Sequence, residues 1–357
     1  MAKTADYEFG PFTYPRGWFM VADGTEVTAT PQSIRFFGEE MVVYRGASGA
    51  VYVVEAYCPH MGAHLAKNTT SYVVLDKEHV QGESITCPFH GWRFGPDGKC
   101  ENIPYSPAPI PKAARLKSWP AIERGGCVFV WHDEEGGEPD YDVPPLPEWD
   151  DPSWVQWKID YLGEIDCHPA EIVDNMVDKA HFTPIHGSMY PEYFENIFEK
   201  HVVYQKFCAG HKTLSSEPLV TDTWYTGPAI LMSKMMGYHP SIIQICHTPV
   251  EDGRVKVWHA LLVKSANQEN PDEGVAMARQ YQEASRLALM QDYEIWAYKR
   301  PCKTPMQVIG DGPFGKLRAW YRQFYNERSA ANAIHQKVDG TYATKGTNKH
   351  PWPTAAE

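Results

Sequence analysis

The segment Cys87-Pro-Phe-His-Gly-Trp-Arg-Phe94 decides how the N-terminal third of the chain is expected to fold. An upstream segment, Cys58-Pro-His-Met-Gly62, repeats its pattern of cysteine, proline, histidine and glycine. Each segment follows or ends a β-type run and places a thiolate and an imidazole within a few residues of one another. Two such pairs are typical of a tetrahedral zinc site or of a [2Fe–2S] cluster in which both histidines bind one iron.

The surroundings of the two pairs favour the cluster. A proline after each cysteine stiffens the loop, and a glycine near its end allows a tight turn. The other loop residues are largely apolar and include Met61, Phe89 and Trp92. A dry shell of this kind suits a redox centre, whose potential depends on solvent exclusion. We therefore predict four cluster ligands, with structural zinc as the alternative: Cys58, His60, Cys87 and His90.

The domain organisation follows from composition and periodicity. Short β-type runs predict a small all-β domain over residues 31–135, preceded by an N-terminal arm, residues 1–30. Acidic residues, glycines and prolines are frequent in the linker, residues 136–150. A second domain is predicted over residues 151–330, followed by a C-terminal tail, residues 331–357. Its expected elements are a strand at 154–164, a helix at 169–181, strands within 200–265 and helices at 273–298 and 316–327.

A second constellation lies at Asn175-x-x-Asp178-x-x-His181-x-x-x-x-His186. Side chains five residues apart on a regular helix point about 140° away from each other, because each residue turns about 100°. A helix alone would therefore not direct His181 and His186 at one ion. Pro184 removes a backbone donor and disfavours helical geometry at Thr183, so we expect the helix to break between the two histidines.

Asp292 is the best candidate for a third ligand. Four apolar residues flank it at helical spacing, which predicts a buried carboxylate that needs a partner: Ala288, Leu289, Ile295 and Trp296. Two histidines and one carboxylate form the facial site of mononuclear Fe(II) enzymes, which leaves positions open for O₂. An acid on the helix surface or a structural ion pair is the alternative.

Composition bounds the remaining possibilities. With 43% hydrophobic and 22% charged residues, the 357-residue chain resembles an ordinary globular protein of two domains. A net charge of −12 argues against nucleic acid or an anionic membrane as a partner. No apolar run approaches the roughly 20 residues that span a bilayer. The eight cysteines and the absence of a signal-like start predict a cytoplasmic protein with reduced thiols.

The two loops resemble the cluster loops of the Rieske non-haem iron oxygenases. The resemblance covers roughly residues 10–330 and is closest to the oxygenase component of 3-ketosteroid 9α-hydroxylases and to cholesterol 7-desaturases. It is carried by five further stretches: Val173–Phe182, Tyr193–Glu199, Gln291–Trp296, Gly310–Pro313 and Arg318–Tyr325. The sequence departs from the family in the longer segment between the loops, where residues 68–82 are expected to form an added hairpin or loop.

The resemblance implies an α+β protein, with an all-β Rieske domain and a helix-grip (START-like) catalytic domain around an antiparallel sheet. It implies a homotrimer in which Asp178 links the cluster of one subunit to the iron of the next; an acid that only orients His181 is the alternative. Asn175, three residues earlier, is a candidate for a residue near the iron, with an amide on the helix surface as the alternative. A separate NAD(P)H-dependent reductase or ferredoxin would supply electrons. The substrate would be an apolar steroid, with a role in steroid metabolism and lipid degradation.

The expected function is therefore that of the terminal oxygenase of a multicomponent monooxygenase that hydroxylates a 3-ketosteroid-like substrate with O₂. Oxidation of an aromatic compound, attack on an O- or N-methyl group, and sterol desaturation are the enzymatic alternatives. A Rieske electron carrier or a steroid-binding module is the non-enzymatic alternative. The string Gly310-x-Gly312-x-x-Gly315 matches a dinucleotide fingerprint, but it lies too near the end of the chain for a βαβ unit.

Overall fold

The computed structural model describes residues 2–211, 218–237, 239–265 and 269–344. It divides into two compact units, a smaller one of residues Trp18–Val143 and a larger one that combines Met1–Gly17 with Pro144–Glu357. The segment expected as an N-terminal arm is thus divided between the two units. Its second part is ordered by a strand, Gly17–Asp23, that pairs within a sheet of the smaller unit.

The strands are, in chain order, β1 (Gly17–Asp23), β2 (Gln32–Phe36), β3 (Glu39–Arg45), β4 (Val51–Glu55), β5 (Val80–Gln81), β6 (Ser84–Thr86), β7 (Arg93–Phe94), β8 (Cys100–Asn102), β9 (Ser118–Trp119), β10 (Ala121–Arg124), β11 (Cys127–His132), β12 (Trp154–Val155), β13 (Asp160–Ile165), β14 (Tyr193–Glu199), β15 (Val202–Ala209), β16 (Leu219–Thr226), β17 (Ile230–Met236), β18 (Ser241–Glu251), β19 (Arg254–Lys264) and β20 (Gly340–Ala343). The α-helices are α1 (Thr4–Tyr7), α2 (Tyr72–Leu75), α3 (Pro169–Val173), α4 (Phe182–His186), α5 (Pro271–Ala297), α6 (Phe314–Tyr321) and α7 (Arg328–His335). Short 3₁₀ turns cover Pro147–Trp149, Asp174–Met176 and Arg322–Tyr325.

The smaller unit is built from three small sheets. Two have four strands, in the orders β2-β3-β4-β9 and β5-β6-β7-β8, and one has the order β1-β11-β10. Valines and aromatic residues of β3 and β4 form its core together with Cys58 and Cys87. The two cysteines are therefore anchored in a hydrophobic core of the unit, at the base of the loops that follow them.

The larger unit is organised around a nine-stranded sheet. Its order is β12-β19-β18-β17-β16-β15-β14-β20, with β13 also pairing with β19, and the recorded pairings are antiparallel. Because side chains alternate between the two faces of a strand, Ile245 and Val257 face α5, where they pack with Leu289 and Trp296. The expected α+β architecture with an antiparallel sheet is confirmed.

Helix α5 shows how the sequence positions one carboxylate. It begins at Pro271, where a missing backbone donor has no cost in the first turn. Its buried side chains include Gln282, Leu289, Asp292 and Trp296, which recur at three- to seven-residue intervals and form one stripe. Ile295, by contrast, is half exposed. The helix predicted at 273–298 is confirmed within two residues, and Asp292 lies on its buried face.

Two other predicted helices are more broken than expected. The helix predicted at 169–181 ends at Val173, continues as the 3₁₀ turn Asp174–Met176 and then leaves helical geometry until α4. The helix predicted at 316–327 becomes α6 and a 3₁₀ turn, and a further helix, α7, follows it. In both places the chain tightens from α to 3₁₀ geometry, as is common at helix ends.

The longer segment between the two cysteine loops contains α2, β5 and the turn between them. His79 lies in this segment, is buried and donates from Nε2 to the backbone carbonyl of Leu65 at 2.5 Å. Its own carbonyl accepts from the backbone N–H of Thr86 at 2.8 Å. One buried histidine thus ties the added segment to both flanks, while Tyr72 on α2 remains exposed. In the described parts of the chain, no helix has the length and apolarity needed to cross a bilayer.

Candidate metal centres

The two cysteine loops have the same backbone hydrogen bonds. The N–H of Cys58 donates to the carbonyl of Ala63 at 2.9 Å, and that of Cys87 donates to Trp92 at 2.7 Å, five residues on in each case. The carbonyl of each cysteine accepts from the glycine four residues on, Gly62 at 2.9 Å and Gly91 at 3.1 Å. These glycines have φ of 72° and 71°, a region that favours glycine. Each ligand pair is therefore preorganised by its own loop.

The thiols meet at the base of the loops. Both are buried, and the side chains of Cys58 and Cys87 are within hydrogen-bond contact. The hydrogen bond from Cys58, aided by the backbone N–H groups of Phe89 and His90, lowers the pKa of Cys87 to about 6. Backbone donors directed at sulfur favour the thiolate, which is the form that binds metal.

The imidazoles lie together on the outer side of the thiols. The rings of His60 and His90 are 4.7 Å apart between centroids, and Trp92 stacks on His60 at 4.5 Å with an interplanar angle of 8°. Nδ1 of His60 is buried and has no hydrogen-bond partner. A buried polar atom normally has one, so a ring nitrogen in this state fits a metal ligand. Two thiolates and two imidazoles also match the donor set of a Rieske cluster.

The apolar loop residues do not form the dry shell that we expected from the sequence. Met61 and Phe89 are 66% and 58% exposed, and Tyr105 beside His60 and His90 is also 58% exposed. Trp92 stacks on His60, and Phe89 lies 3.8 Å from His90 between ring centroids, although Phe89 is itself exposed. The loops therefore present an apolar surface to the outside, which is typical of a surface that contacts another protein.

The second site is formed by α4 and α5. His181, His186 and Asp292 each offer one ligand atom, and these atoms lie within 4.8 Å of one another. Among the described residues, these three side chains lie close enough together to hold a metal ion. All three were singled out from the sequence, but the local geometry differs from the expected one.

Pro184 does not break the chain between the histidines. It lies inside α4, with His181 at the N-terminal cap and His186 as the last residue. Proline is tolerated there because the first backbone N–H groups of a helix have no partner within it. The break instead precedes His181, where Oδ1 of Asp178 accepts from the backbone N–H groups of Ala180 and His181 at 3.0 and 3.2 Å. Our expectation of a break at Pro184 was therefore wrong.

His181 is oriented by its own loop. Its Nδ1 donates to the backbone carbonyl of Asp178 at 2.6 Å, so Nε2 carries the lone pair. Burial, opposed by the charges of Asp292 and Asp178, lowers its pKa and favours the neutral ring that binds metal. The nearest contact between the Asp178 carboxylate and this ring is 3.8 Å from Nδ1.

His186 is oriented from α5. Its Nε2 lies 3.1 Å from Oδ2 of Asp292, and its Nδ1 donates to Oε1 of Gln291 at 3.2 Å. Its backbone carbonyl accepts from Nε2 of His211 at 2.9 Å. Burial alone would lower the pKa of His186, but the hydrogen bond and charge of Asp292, with a smaller contribution from Gln291, raise it. Sequence analysis missed Gln291 and His211. Gln291 adjoins a predicted ligand, whereas nothing in the sequence pointed to His211.

The position of α5 depends on a buried polar chain. Asp160 of β13 accepts from Nδ1 of His259 at 2.9 Å and from Gln282 of α5 at 2.9 Å. The other ring nitrogen of His259 is 2.9 Å from the hydroxyl of Ser285 on α5. These bonds fix the rotation of α5 on the sheet two to three turns before Asp292. Burial opposes ionisation of Asp160, but the bonds from His259 and Gln282 lower its pKa overall.

A buried charge cluster connects the segment before α4 to the end of α5. Arg318 on α6 binds the Asp174 carboxylate through two nitrogens, one at 2.7 Å, and approaches Glu171 at 3.4 Å. Lys299, just after α5, is 2.5 Å from Glu171, as is the hydroxyl of Tyr7. This charge cluster therefore lies just before the segment with His181 and His186 and just after α5, which carries Asp292. Asn175 adjoins this cluster, and its backbone carbonyl accepts from Gln205 at 3.2 Å.

Comparison with known proteins identifies the class first. A Rieske [2Fe-2S] domain model matches residues 17–120. This match agrees with the paired cysteine–histidine loops, and the chain is an oxidoreductase with a Rieske iron–sulfur domain. A model of the 3-ketosteroid 9alpha-hydroxylase C-terminal domain matches residues 130–325, more than half of the chain. The chain belongs to this family of Rieske oxygenases.

Relatives in three organisms support the assignment. The oxygenase component of 3-ketosteroid-9-alpha-monooxygenase from Mycolicibacterium smegmatis is 34% identical over 95% of this chain and 91% of its own length. One from Rhodococcus rhodochrous is 35% identical over 88% of this chain and 82% of its own. The cholesterol 7-desaturase of Hemicentrotus pulcherrimus is 31% identical over 89% of this chain and 71% of its own.

Solved structures share the fold at low identity. NdmA of Pseudomonas putida CBB5, solved with caffeine, has a TM-score of 0.69 and 17% identity over 93% of this chain and 97% of its own. Dicamba monooxygenase bound to dicamba has a TM-score of 0.61 and 16% identity over 92% and 99%. The predicted fold class and the predicted family are confirmed.

Proposed function

We propose that this chain is the terminal oxygenase of a multicomponent monooxygenase that hydroxylates a steroid of the 3-ketosteroid type. The observation that carries the proposal is the convergence of His181, His186 and Asp292 in a domain of the 3-ketosteroid 9alpha-hydroxylase family. An electron carrier or a binding module has no need of such a site.

Cys58, His60, Cys87 and His90 would hold the [2Fe–2S] cluster. His181, His186 and Asp292 would hold a mononuclear Fe(II). When bound, the cluster supplies single electrons and the Fe(II) activates O₂ for insertion into a C–H bond. The metal content separates the classes: about three irons per chain fit the enzyme, about two fit a carrier, and one zinc would overturn the Rieske assignment.

The protein's own groups prepare the second site. The backbone carbonyl of Asp178 and the amide of Gln291 hold one proton on Nδ1 of each histidine, so a metal would be bound through Nε2 of each ring. Phe182 stacks on Phe207 at 4.3 Å between centroids, which packs one side of α4 against β15. Three ligands on this framework would leave positions open for O₂ and substrate.

The helix-covered face of the sheet is proposed as the steroid-binding surface. Apolar residues such as Leu231 and Ile245 pair across β17 and β18 on this face. In the next row, the hydroxyls of Thr223 and Ser233 are 2.7 Å apart and buried. A mainly apolar surface with few polar groups suits a flat ligand that carries isolated oxygens.

Electrons are proposed to come from a separate reductase or ferredoxin and to cross between subunits of a homotrimer, through Asp178. The exposed apolar tip of the smaller unit, with Met61, Phe89 and Tyr105, supports contact with another protein. Co-expression of Cys87→Ala and Asp292→Ala chains tests the crossing. Mixed oligomers should regain activity that neither variant has alone. Inactive mixed oligomers would mean that electrons stay within one chain.

The substrate is tested by mass spectrometry of products formed from a panel of steroids, arenes and O- or N-methyl compounds with a generic reductase and NADH. A hydroxylated 3-ketosteroid is the expected product. A sterol with a new double bond would instead indicate a desaturase reaction, as in the name of the relative from Hemicentrotus pulcherrimus. An oxidised arene or a demethylated product, with every steroid unchanged, would overturn the steroid assignment.

A further inference from the structure

The two histidines of the second site are held in different ways. His181 receives its orienting contact from a main-chain carbonyl three residues before it, within the same loop. His186 receives its contact from the side chain of Gln291, which is 105 residues away in the chain. A substitution can remove the second contact but not the first.

Gln291 and Asp292 act on opposite edges of one ring. Gln291 Oε1 accepts from Nδ1 of His186, and Asp292 Oδ2 lies 3.1 Å from Nε2. Consecutive side chains on a helix point about 100° apart. Because Gln291 and Asp292 both contact the ring of His186, the ring lies between these two side chains. An amide oxygen can only accept a hydrogen bond. Gln291 therefore holds a ring proton on Nδ1, so that Nε2, the nitrogen that faces Asp292, is the one left to bind a metal.

The backbone of His186 is held independently of its ring. Its carbonyl accepts from His211 at 2.9 Å, and Ser188, two residues on, forms a β-bridge with the same His211. Loss of the Gln291 contact would therefore leave α4 in place and free only the rotation and tautomer of one ring. Gln291 itself is exposed on α5, so its side chain contributes little to the packed core.

We propose that Gln291 is a positioning residue for metal binding, which orients His186 and fixes its tautomer through Nδ1. Partners of this kind commonly contribute about 10- to 100-fold to metal affinity. The inference rests on the proposed mononuclear iron site and is independent of the steroid substrate.

The test is anaerobic titration of Fe(II), with a competing chelator, into full-length protein from which the mononuclear iron has been removed. The absorbance of the Rieske cluster reports that the smaller unit stays intact. Gln291→Leu, which keeps the size but removes the acceptor, should weaken Fe(II) binding about 10- to 100-fold. Gln291→Glu, which keeps an acceptor at the same reach, should bind Fe(II) at least as tightly as the wild type.

Two further variants separate the hydrogen bond from other effects. Gln291→Asn keeps the amide but is one methylene shorter, so it should weaken Fe(II) binding as Gln291→Leu does. Ala288→Glu adds a negative charge at an exposed position one turn away and should change affinity by less than about twofold. The Co(II) visible spectrum of each variant reports whether the ligand set changes.

The outcomes are distinct. Fe(II) affinity equal to wild type in Gln291→Leu would overturn the inference. Equal losses of Fe(II) affinity in Gln291→Leu and Gln291→Glu would overturn it as well, because the effect would then come from side-chain shape and not from the hydrogen-bond acceptor. An affinity gain in Ala288→Glu that matches Gln291→Glu would assign the effect to charge alone. Failure of the wild-type protein to bind Fe(II) would overturn the proposed iron site itself.

Discussion

The two candidate metal centres differ in how much of the fold each needs. The cluster loops are two copies of one backbone pattern inside the smaller unit, and each is closed by hydrogen bonds between residues four and five apart. The second centre joins α4 to Asp292, and its ring contacts extend over 105 residues of chain. A centre of the first kind depends on its loops, whereas one of the second kind depends on everything that holds α5 in register.

The largest expected effect comes from removing a cluster ligand. Cys87→Ala should abolish the visible absorbance of the cluster and NADH-driven turnover, because no other thiolate lies in that loop. Fe(II) binding at the second centre should stay within about twofold of wild type, since its ligands lie in the other unit. Cys127→Ala, at a buried cysteine of the same unit outside the loops, is the control. Joint loss of both metals would break the contrast between the centres.

The converse substitution is Asp292→Ala. It removes one of three candidate ligands, so bound mononuclear iron and turnover should fall by at least about 100-fold while the cluster absorbance is kept. Metal analysis and product assays measure the two effects. Glu294→Ala changes an exposed acid on the same helix and should leave both within about twofold of wild type. Loss of the cluster in Asp292→Ala would identify Asp292 as a structural residue.

A distant substitution should affect only the second centre. Arg318→Met leaves the buried carboxylates of Asp174 and Glu171 with one cation fewer, which typically costs about 3–5 kcal/mol. On mild heating, mononuclear iron should be released at a lower temperature than in wild type, while the bleaching temperature of the cluster stays unchanged. Arg322→Met, at an exposed position one residue after α6, is the control. If Arg318→Met lowered both the temperature of iron release and the bleaching temperature of the cluster by the same amount, the two centres would not differ in their dependence on the fold of the larger unit.

The smallest effect compares the two cluster loops with each other. Gly62 and Gly91 have the same φ, so alanine at either should cost about 1–2 kcal/mol. At Gly91 an added Cβ would also lie 3.2 Å from Cγ of Pro104, whereas at Gly62 it would meet nothing within 4 Å. The cluster absorbance of Gly91→Ala should therefore bleach faster in urea than that of Gly62→Ala. Equal bleaching rates would mean that Pro104 moves aside at no cost.

The same contrast explains what could be predicted from sequence. The cluster loops could be predicted because their ligands, prolines and glycines lie within a few residues of each other. The burial of Asp292 could be predicted because Leu289 and Trp296 flank it at helical spacing. The position of the break could not be predicted. It depends on the Asp178 carboxylate, which accepts from the backbone N–H groups of Ala180 and His181 just before α4, and such local hydrogen bonds compete with helical propensity. The contact between His186 and Gln291 could not be predicted, because only the packing of α5 creates it.

The division of the chain also has a consequence for biosynthesis. The larger unit is discontinuous, since it includes residues 1–17 and is completed by β20 at residues 340–343, which pairs with β14. The smaller unit is continuous and lies between these parts in sequence. Domains fold as units during translation, so the ribosome releases every residue of the smaller unit well before the last strand of the larger one. We therefore expect the smaller unit to be able to fold on the nascent chain before the larger one, which can be completed only after β20 has been synthesised.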